Sequence, residues 1–181
     1  MVQLLLTVEF VLSAYVSVQK ALKHVMTKFT CLMYKWVMLL VGIKNLSFLN
    51  QAVTPFGQIG LMVCYDLRFP ELALTLRAQG ANILTAPAAF TYTTGQMHWQ
   101  LLLQARAMDS QCHVLGAAQQ GWHGEKRQTW GHAGATNSRG QILAITDAEG
   151  AQLMTVPFDL NEQRSIRETM PLMQHRKLMS F

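Results

Sequence analysis

Apolar positions at Ile59, Leu61 and Val63 alternate without an intervening charge, which predicts a buried strand over Gly57–Val63. Pro70 near a first helical position and Glu71 in the first turn predict a helix over Pro70–Gln79. Leu72 and Leu76 supply its apolar positions, and Gly80 suits its C-terminal stop. The apolar run Ala81–Ala86 predicts a second buried strand, which completes a βαβ unit. Trp99, Leu102, Leu103 and Ala107 form a stripe at helical spacing and predict a helix over Gln96–Ser110, followed by a third strand, Cys112–Gln119. The polar, glycine-rich stretch Gly121–Gly131 predicts a loop. Strands over His132–Thr136 and Gln141–Thr146 follow, joined by a turn at Asn137–Gly140. A turn at Asp147–Gly150 leads into a predicted strand Gln152–Phe158. Asp159 is a good N-cap, with Glu162 three residues on, so Leu160–Thr169 is a predicted helix that Pro171 ends. Alternating strands and helices argue for an α/β fold.

The first 50 residues read differently. They hold five lysines against Glu9 alone, so they carry most of the net charge of +5 in this 181-residue chain. The basic balance is therefore a property of that segment, and the main domain shows no basic stripe with interleaved aromatics that would suit a nucleic acid. Trp36–Ile43 is apolar but only eight residues long between Lys35 and Lys44, too short for the roughly 20 residues a membrane span needs. Met1–Val18 has Glu9 in its middle and no leading basic residues, so it is a poor signal peptide. Lys20–Lys28 could form a basic amphipathic face at a membrane surface, which gives one alternative role for residues 1–50. The expected organisation is an apolar and basic segment at 1–50, set apart from a main α/β domain portion at 51–181.

Three cysteines, Cys31, Cys64 and Cys112, make neither a disulfide framework nor a CxxC motif. The six histidines make no HxxxH or HExxH pattern, so neither a metal nor another cofactor is expected. A reducing, cytoplasmic compartment follows from free thiols. Cys64 is placed where a strand ends and a helix soon begins. Free backbone N–H groups at such a corner can stabilise a thiolate or an oxyanion. Buried free cysteine is nevertheless common and usually inert.

The company of Cys64 changes that balance. The run Cys64-Tyr65-Asp66-Leu67-Arg68-Phe69-Pro70-Glu71 resembles the nucleophile signature of the nitrilase superfamily, the carbon–nitrogen hydrolases. The closest resemblance is to the amidase branch that contains deaminated-glutathione amidase and the omega-amidases. Thr85–Phe90, Thr94–Trp99, Leu101–Ala107, Gly131–Gly134 and Arg167–Pro171 follow in the family's order, and the likeness covers roughly residues 51–177. Ala133 stands where serine is usual, and Asn137-Ser138-Arg139-Gly140 replaces an Asp-Pro-x-Gly turn.

The resemblance implies part of a four-layer α-β-β-α sandwich, its second half. It implies Cys64 as nucleophile on a small, carboxylate-bearing amide, with a thioester intermediate and release of ammonia. The Tyr65 backbone N–H becomes an oxyanion donor. Ala88, Phe90 and Thr91 border the acyl pocket, and Asp66 and Arg68 support the elbow through a local ion pair. Trp99 and Arg106 are expected as support. Arg127, in the Glu125-Lys126-Arg127 stretch, is a candidate carboxylate partner, against the alternative of a solvated charge cluster. The family also uses a glutamate base and a lysine upstream of the cysteine. Glu9 and Lys35 match those contexts poorly, so the chain is expected to be weak or inactive. Exposed edges predict a homo-oligomer. A catalytically dead binding or oligomerisation module is the other alternative.

Overall fold

A computed structural model describes residues 51–54, 57–147 and 150–177. The expected α/β character is observed as one six-stranded sheet in the order β1-β2-β3-β4-β7-β8, with a separate two-stranded β5–β6 ribbon. The sheet strands are β1 (Gln51–Thr54), β2 (Gly57–Leu61), β3 (Ile83–Thr85), β4 (His113–Gly116), β7 (Gly134–Thr136) and β8 (Ile142–Ile145). The ribbon pairs β5 (Gln120–His123) with β6 (Arg127–Trp130). Strands β2, β3 and β4 run parallel and the outer pairs antiparallel.

Helix α1 (Pro70–Ala78) joins β2 to β3, and α2 (Tyr92–Ser110) joins β3 to β4. Right-handed crossovers with strands added in one direction place both helices on one face. Met62, Leu67, Leu76, Leu84, Trp99, Leu103 and Val114 are buried between those helices and the sheet. Gly116 lets α2 approach the sheet: a Cβ there would lie 2.6 Å from the Trp99 ring. On the opposite face Ile59 and Ile83 are buried against Leu61, Leu115 and Phe158.

Helix α3 (Leu160–Thr169) closes the end of the sheet where β3 and β4 begin. Asp159 caps it as expected, accepting from Asn161 N at 2.8 Å and Glu162 N at 3.2 Å. Gln163 exchanges hydrogen bonds with Asn82, its Nε2 donating to the Asn82 carbonyl at 2.8 Å and its Oε1 accepting from Asn82 Nδ2 at 3.1 Å. Arg167 Nη2 donates to the carbonyls of Ala81 and Gln111 at 3.0 Å each and to Cys112 Sγ at 3.4 Å. Thus one side chain ties together the chain segments entering β3 and β4. A short helix, α4 (Leu172–His175), follows.

Two expectations are corrected. Residues 121–131 are not a loop but most of the β5–β6 hairpin, turned at Gly124 with φ 69°. The region 152–158 is not a strand: it forms no ladder, although Val156 is buried and the Phe158 ring stacks on His113 with centroids 4.5 Å apart. Glu162 also bonds Arg139 at 3.2 Å, so its carboxylate is used across elements. Helix α2 begins four residues before the predicted start, and β1 adds an edge strand that the sequence pattern did not mark. Among the described residues no helix is long and apolar enough to cross a membrane. The expectations for Glu9, Lys35 and the basic N-terminal face lie outside the described residues.

Candidate active site

The parallel strands β2, β3 and β4 all deliver their C-terminal ends to one side. Cys64 follows β2, Pro87–Phe90 follows β3, and Ala117–Gln119 follows β4. Adjacent strand ends of this kind form the crevice that open α/β sheets use for ligands. The three segments are bound together by backbone. Cys64 N donates to Pro87 O at 2.9 Å, Ala88 N donates to Ala117 O at 2.8 Å, and Gln119 N donates to Ala88 O at 2.9 Å.

Cys64 opens a 3₁₀ turn, Cys64–Arg68, and is held at φ 47°. A non-glycine residue in left-handed space costs about 1–2 kcal/mol, so the surrounding hydrogen bonds hold it there. Val63 N donates to Asp66 Oδ2 at 2.9 Å, and Asp66 N donates to Val63 O at 2.9 Å. These reciprocal bonds fix the corner on both sides of the thiol. Asp66 therefore ties the corner together through backbone bonds to Val63 and not through the expected ion pair. Arg68 finds its contacts elsewhere instead of pairing with Asp66. Its guanidinium lies 5.6 Å from the Tyr65 ring centroid and 5.4 Å from that of Phe90, and both Nη atoms stand 3.4 Å from His98 Nδ1.

The thiol is half-buried. Burial is the largest influence on it and raises its pKa from 9.0. Hydrogen bonding from the Ala89 backbone, the positive charge of Arg127 and hydrogen bonding from the Tyr65 backbone pull the other way, while Asp66 adds to the rise. The backbone groups of Tyr65 and Ala89 thus converge on the sulfur from two different segments. Tyr65 was legible in the sequence. Ala89 was not, because its contact depends on how the loop after β3 crosses the end of β2. Among the described residues no carboxylate or imidazole hydrogen-bonds Cys64 Sγ, so the thiol lacks a base in direct contact there.

The expected pocket residues separate. Ala88 and Phe90 belong to the buried core against which Cys64 packs. Phe90 meets Trp99 edge-on, with centroids 5.2 Å apart. Thr91 is exposed, and its hydroxyl lies 2.7 Å from that of Thr94 at the start of α2. Trp99 supports the site from below, donating from Nε1 to His132 O at 2.6 Å. Arg106 is buried on α2, with its guanidinium 3.4 Å from Asp109. No group of three or more His, Cys, Asp or Glu side chains that could hold a metal is found among the described residues.

The hairpin forms a further wall. Thr129 of β6 bridges to Thr91, and Trp130 N donates to Phe90 O at 3.0 Å. Trp130 packs over Gly95 of α2, where any Cβ would overlap the Trp130 side chain. Its ring also meets Tyr92 edge-on and stacks on His132.

This geometry has known counterparts. The sequence model of the family described as carbon-nitrogen hydrolase matches residues 13–168, a span that begins inside the N-terminal segment. The chain belongs to the carbon-nitrogen hydrolase family. It is 51% identical over 124 residues to the nitrilase and fragile histidine triad fusion protein NitFhit of Drosophila melanogaster, covering 68% of this chain and 27% of that protein. It is 49% identical over 124 residues to the deaminated glutathione amidase of Homo sapiens, covering 68% of this chain and 38% of that protein. Its fold matches the crystal structure of the C. elegans NitFhit protein with a TM-score of 0.69 at 40% identity, over 74% of this chain and 32% of the other. The chain thus spans less than half the length of each of these relatives.

Proposed function

We propose that this chain carries the nucleophile half of an amidase site, in which Cys64 attacks the carbonyl of a small, carboxylate-bearing amide. The sulfur forms a bond to the carbonyl carbon, and the tetrahedral oxyanion is held by backbone N–H donors, that of Tyr65 foremost. Collapse expels the amine, which is ammonia for a primary amide, and leaves a thioester on Cys64. Water then hydrolyses that thioester and regenerates the thiol. The single observation that carries this reading is the left-handed Cys64 at the strand–turn corner, with two backbone segments aimed at its sulfur.

The same geometry supports slow turnover by these residues. Burial keeps the thiol protonated at neutral pH, and no base among the described residues is in contact with it. Absence of general-base assistance costs about 10²–10⁴ in rate. Partnership with a second copy is the accompanying proposal: Met97, Leu101 and Met108 are exposed along the outer side of α2.

The test offers the protein deaminated glutathione and a set of small ω-amides, reading released amine and the mass of the Cys64 peptide after an acid quench. The expected result is an acyl adduct on Cys64 that hydroxylamine removes, with Cys64→Ser losing turnover by roughly 10⁶ from whatever level the parent shows. Turnover that survives Cys64→Ser would overturn the reading.

A further inference from the structure

The hairpin that replaces the expected loop changes what Arg127 can do. On a loop its charge is a solvated surface feature. On β6 its backbone is fixed by pairing with His123 and by the seating of Trp130 over Gly95. Its Nη2 donates to the carbonyl of Ala89 at 3.1 Å. The backbone at Ala89 and the charge of Arg127 both favour the Cys64 thiolate, so all three groups lie close together. The guanidinium therefore stands about one residue's length beyond the sulfur, within about 10 Å given ordinary backbone dimensions.

A guanidinium has five N–H donors. Among the described residues Arg127 makes only the one bond to Ala89 and pairs with no carboxylate. The other guanidinium near the elbow, Arg68, is already committed to two rings and His98. An exposed arginine with donors to spare, anchored at one end beside a nucleophile, suits a planar anion.

We propose that Arg127 is the specificity-determining residue of this site, receiving a substrate carboxylate carried a few bonds from the amide that Cys64 attacks. The assignment rests on Cys64 being the nucleophile, and it names the group that selects for charge. Arg127 binds and orients, and no bond is made or broken at it. The Ala89 carbonyl holds one Nη so that the free edge of the guanidinium faces incoming substrate.

The experiment uses the whole chain and reagents matched in size but not in charge. Iodoacetate is compared with iodoacetamide, and 3-maleimidopropionate with N-ethylmaleimide as a longer pair. Labelling rates of Cys64 and Cys112 are read by peptide mass spectrometry. The anionic-to-neutral rate ratio at Cys64 cancels any change in thiolate fraction, because both reagents need the same thiolate. In at least one pair, Arg127→Gln should lower that ratio about threefold to fivefold, an effect set by one charge-assisted contact at an exposed position. Arg127→Lys should lower it less, and the neighbouring Lys126→Gln should leave it unchanged. A ratio unmoved by Arg127→Gln in both pairs, or moved as much by Lys126→Gln, overturns the proposal while leaving the nucleophile intact. If neutral reagents label Cys64 no faster than Cys112, the nucleophile reading fails and the proposal falls with it.

Discussion

Cys64 and Cys112 are both free thiols that flank the parallel strands of the sheet, and burial raises the pKa of both. They stand at opposite ends of the parallel strands and are treated in opposite ways. Cys112 lies where β4 begins, fully buried, with its S–H donating to Ala81 O at 3.2 Å. Donation to a carbonyl fixes the proton on sulfur, and the Arg167 guanidinium alongside spends its other bonds on backbone. Cys64 is only half-buried, and the backbone at Ala89 and Tyr65 favours its thiolate. Each sulfur has a positive neighbour, Arg127 for Cys64 and Arg167 for Cys112, so a nearby guanidinium does not distinguish them. What separates them is the proton that Cys112 gives to a carbonyl and the access that only the half-buried Cys64 retains.

The sharpest break of this comparison is chemical. Iodoacetamide at pH 8 should label Cys64 on the order of 10³ times faster than Cys112, which waits for local opening of the closed end. Because the Cys64 pKa lies above 9.0, its labelling rate should climb about tenfold per pH unit between pH 7 and 9 without levelling. Comparable labelling of the two thiols would erase the distinction drawn here.

Stability separates the two ends next. Arg167→Met removes the bonds to Ala81, Gln111 and Cys112 and leaves buried acceptors unmatched. Urea unfolding should show a loss of about 2–3 kcal/mol. At the open end, Gly95→Ala forces the hairpin off α2. An overpacking cost of about 1–3 kcal/mol is expected, together with exposure of the Trp130 ring as a red shift of tryptophan emission. A shift without loss of stability would mean that the hairpin is an appendage and not a wall.

The smallest effect concerns pH. Burial, the dominant cause, holds the His113 pKa below 6.5 beside Phe158. The unfolded chain therefore binds a proton at higher pH than the native one does. Its contribution is fully present above pH 6.5 and is lost as pH falls through the interval down to the native value. In that interval stability should drop by up to about 1.4 kcal/mol per pH unit, and His113→Gln should flatten the slope.

Most of the closed end and the frame of the open end were legible from the chain. Alternation at Ile59, Leu61 and Val63, the punctuation by Pro70 and Gly80, and the cap at Asp159 each act within a few residues, so local chemistry fixes them. The hairpin was not legible because β5 and β6 form a ribbon of Gln, Gly, Trp, His, Arg and Thr with no apolar face. Its stability comes from Gly95 on another element, which no local pattern displays. The 152–158 segment failed in the opposite sense: its residues have strand composition, but no neighbouring edge pairs with it. Of the candidate site, Cys64, Tyr65 and Asp66 were legible as one continuous motif. Ala89 and the aim of Arg127 arise only when β2, β3 and β6 come together.

The left-handed backbone at Cys64 has one more consequence. Glycine is at home at φ 47°, and its greater freedom in the unfolded chain costs about as much as the relieved strain returns. Against that near-balance stands the packing of the Cys64 side chain on the buried core, which glycine forfeits. Cys64→Gly should therefore cost only about 1 kcal/mol, the loss of one small, partly buried side chain. The corner is set by its backbone bonds, and the sulfur adds little to holding it.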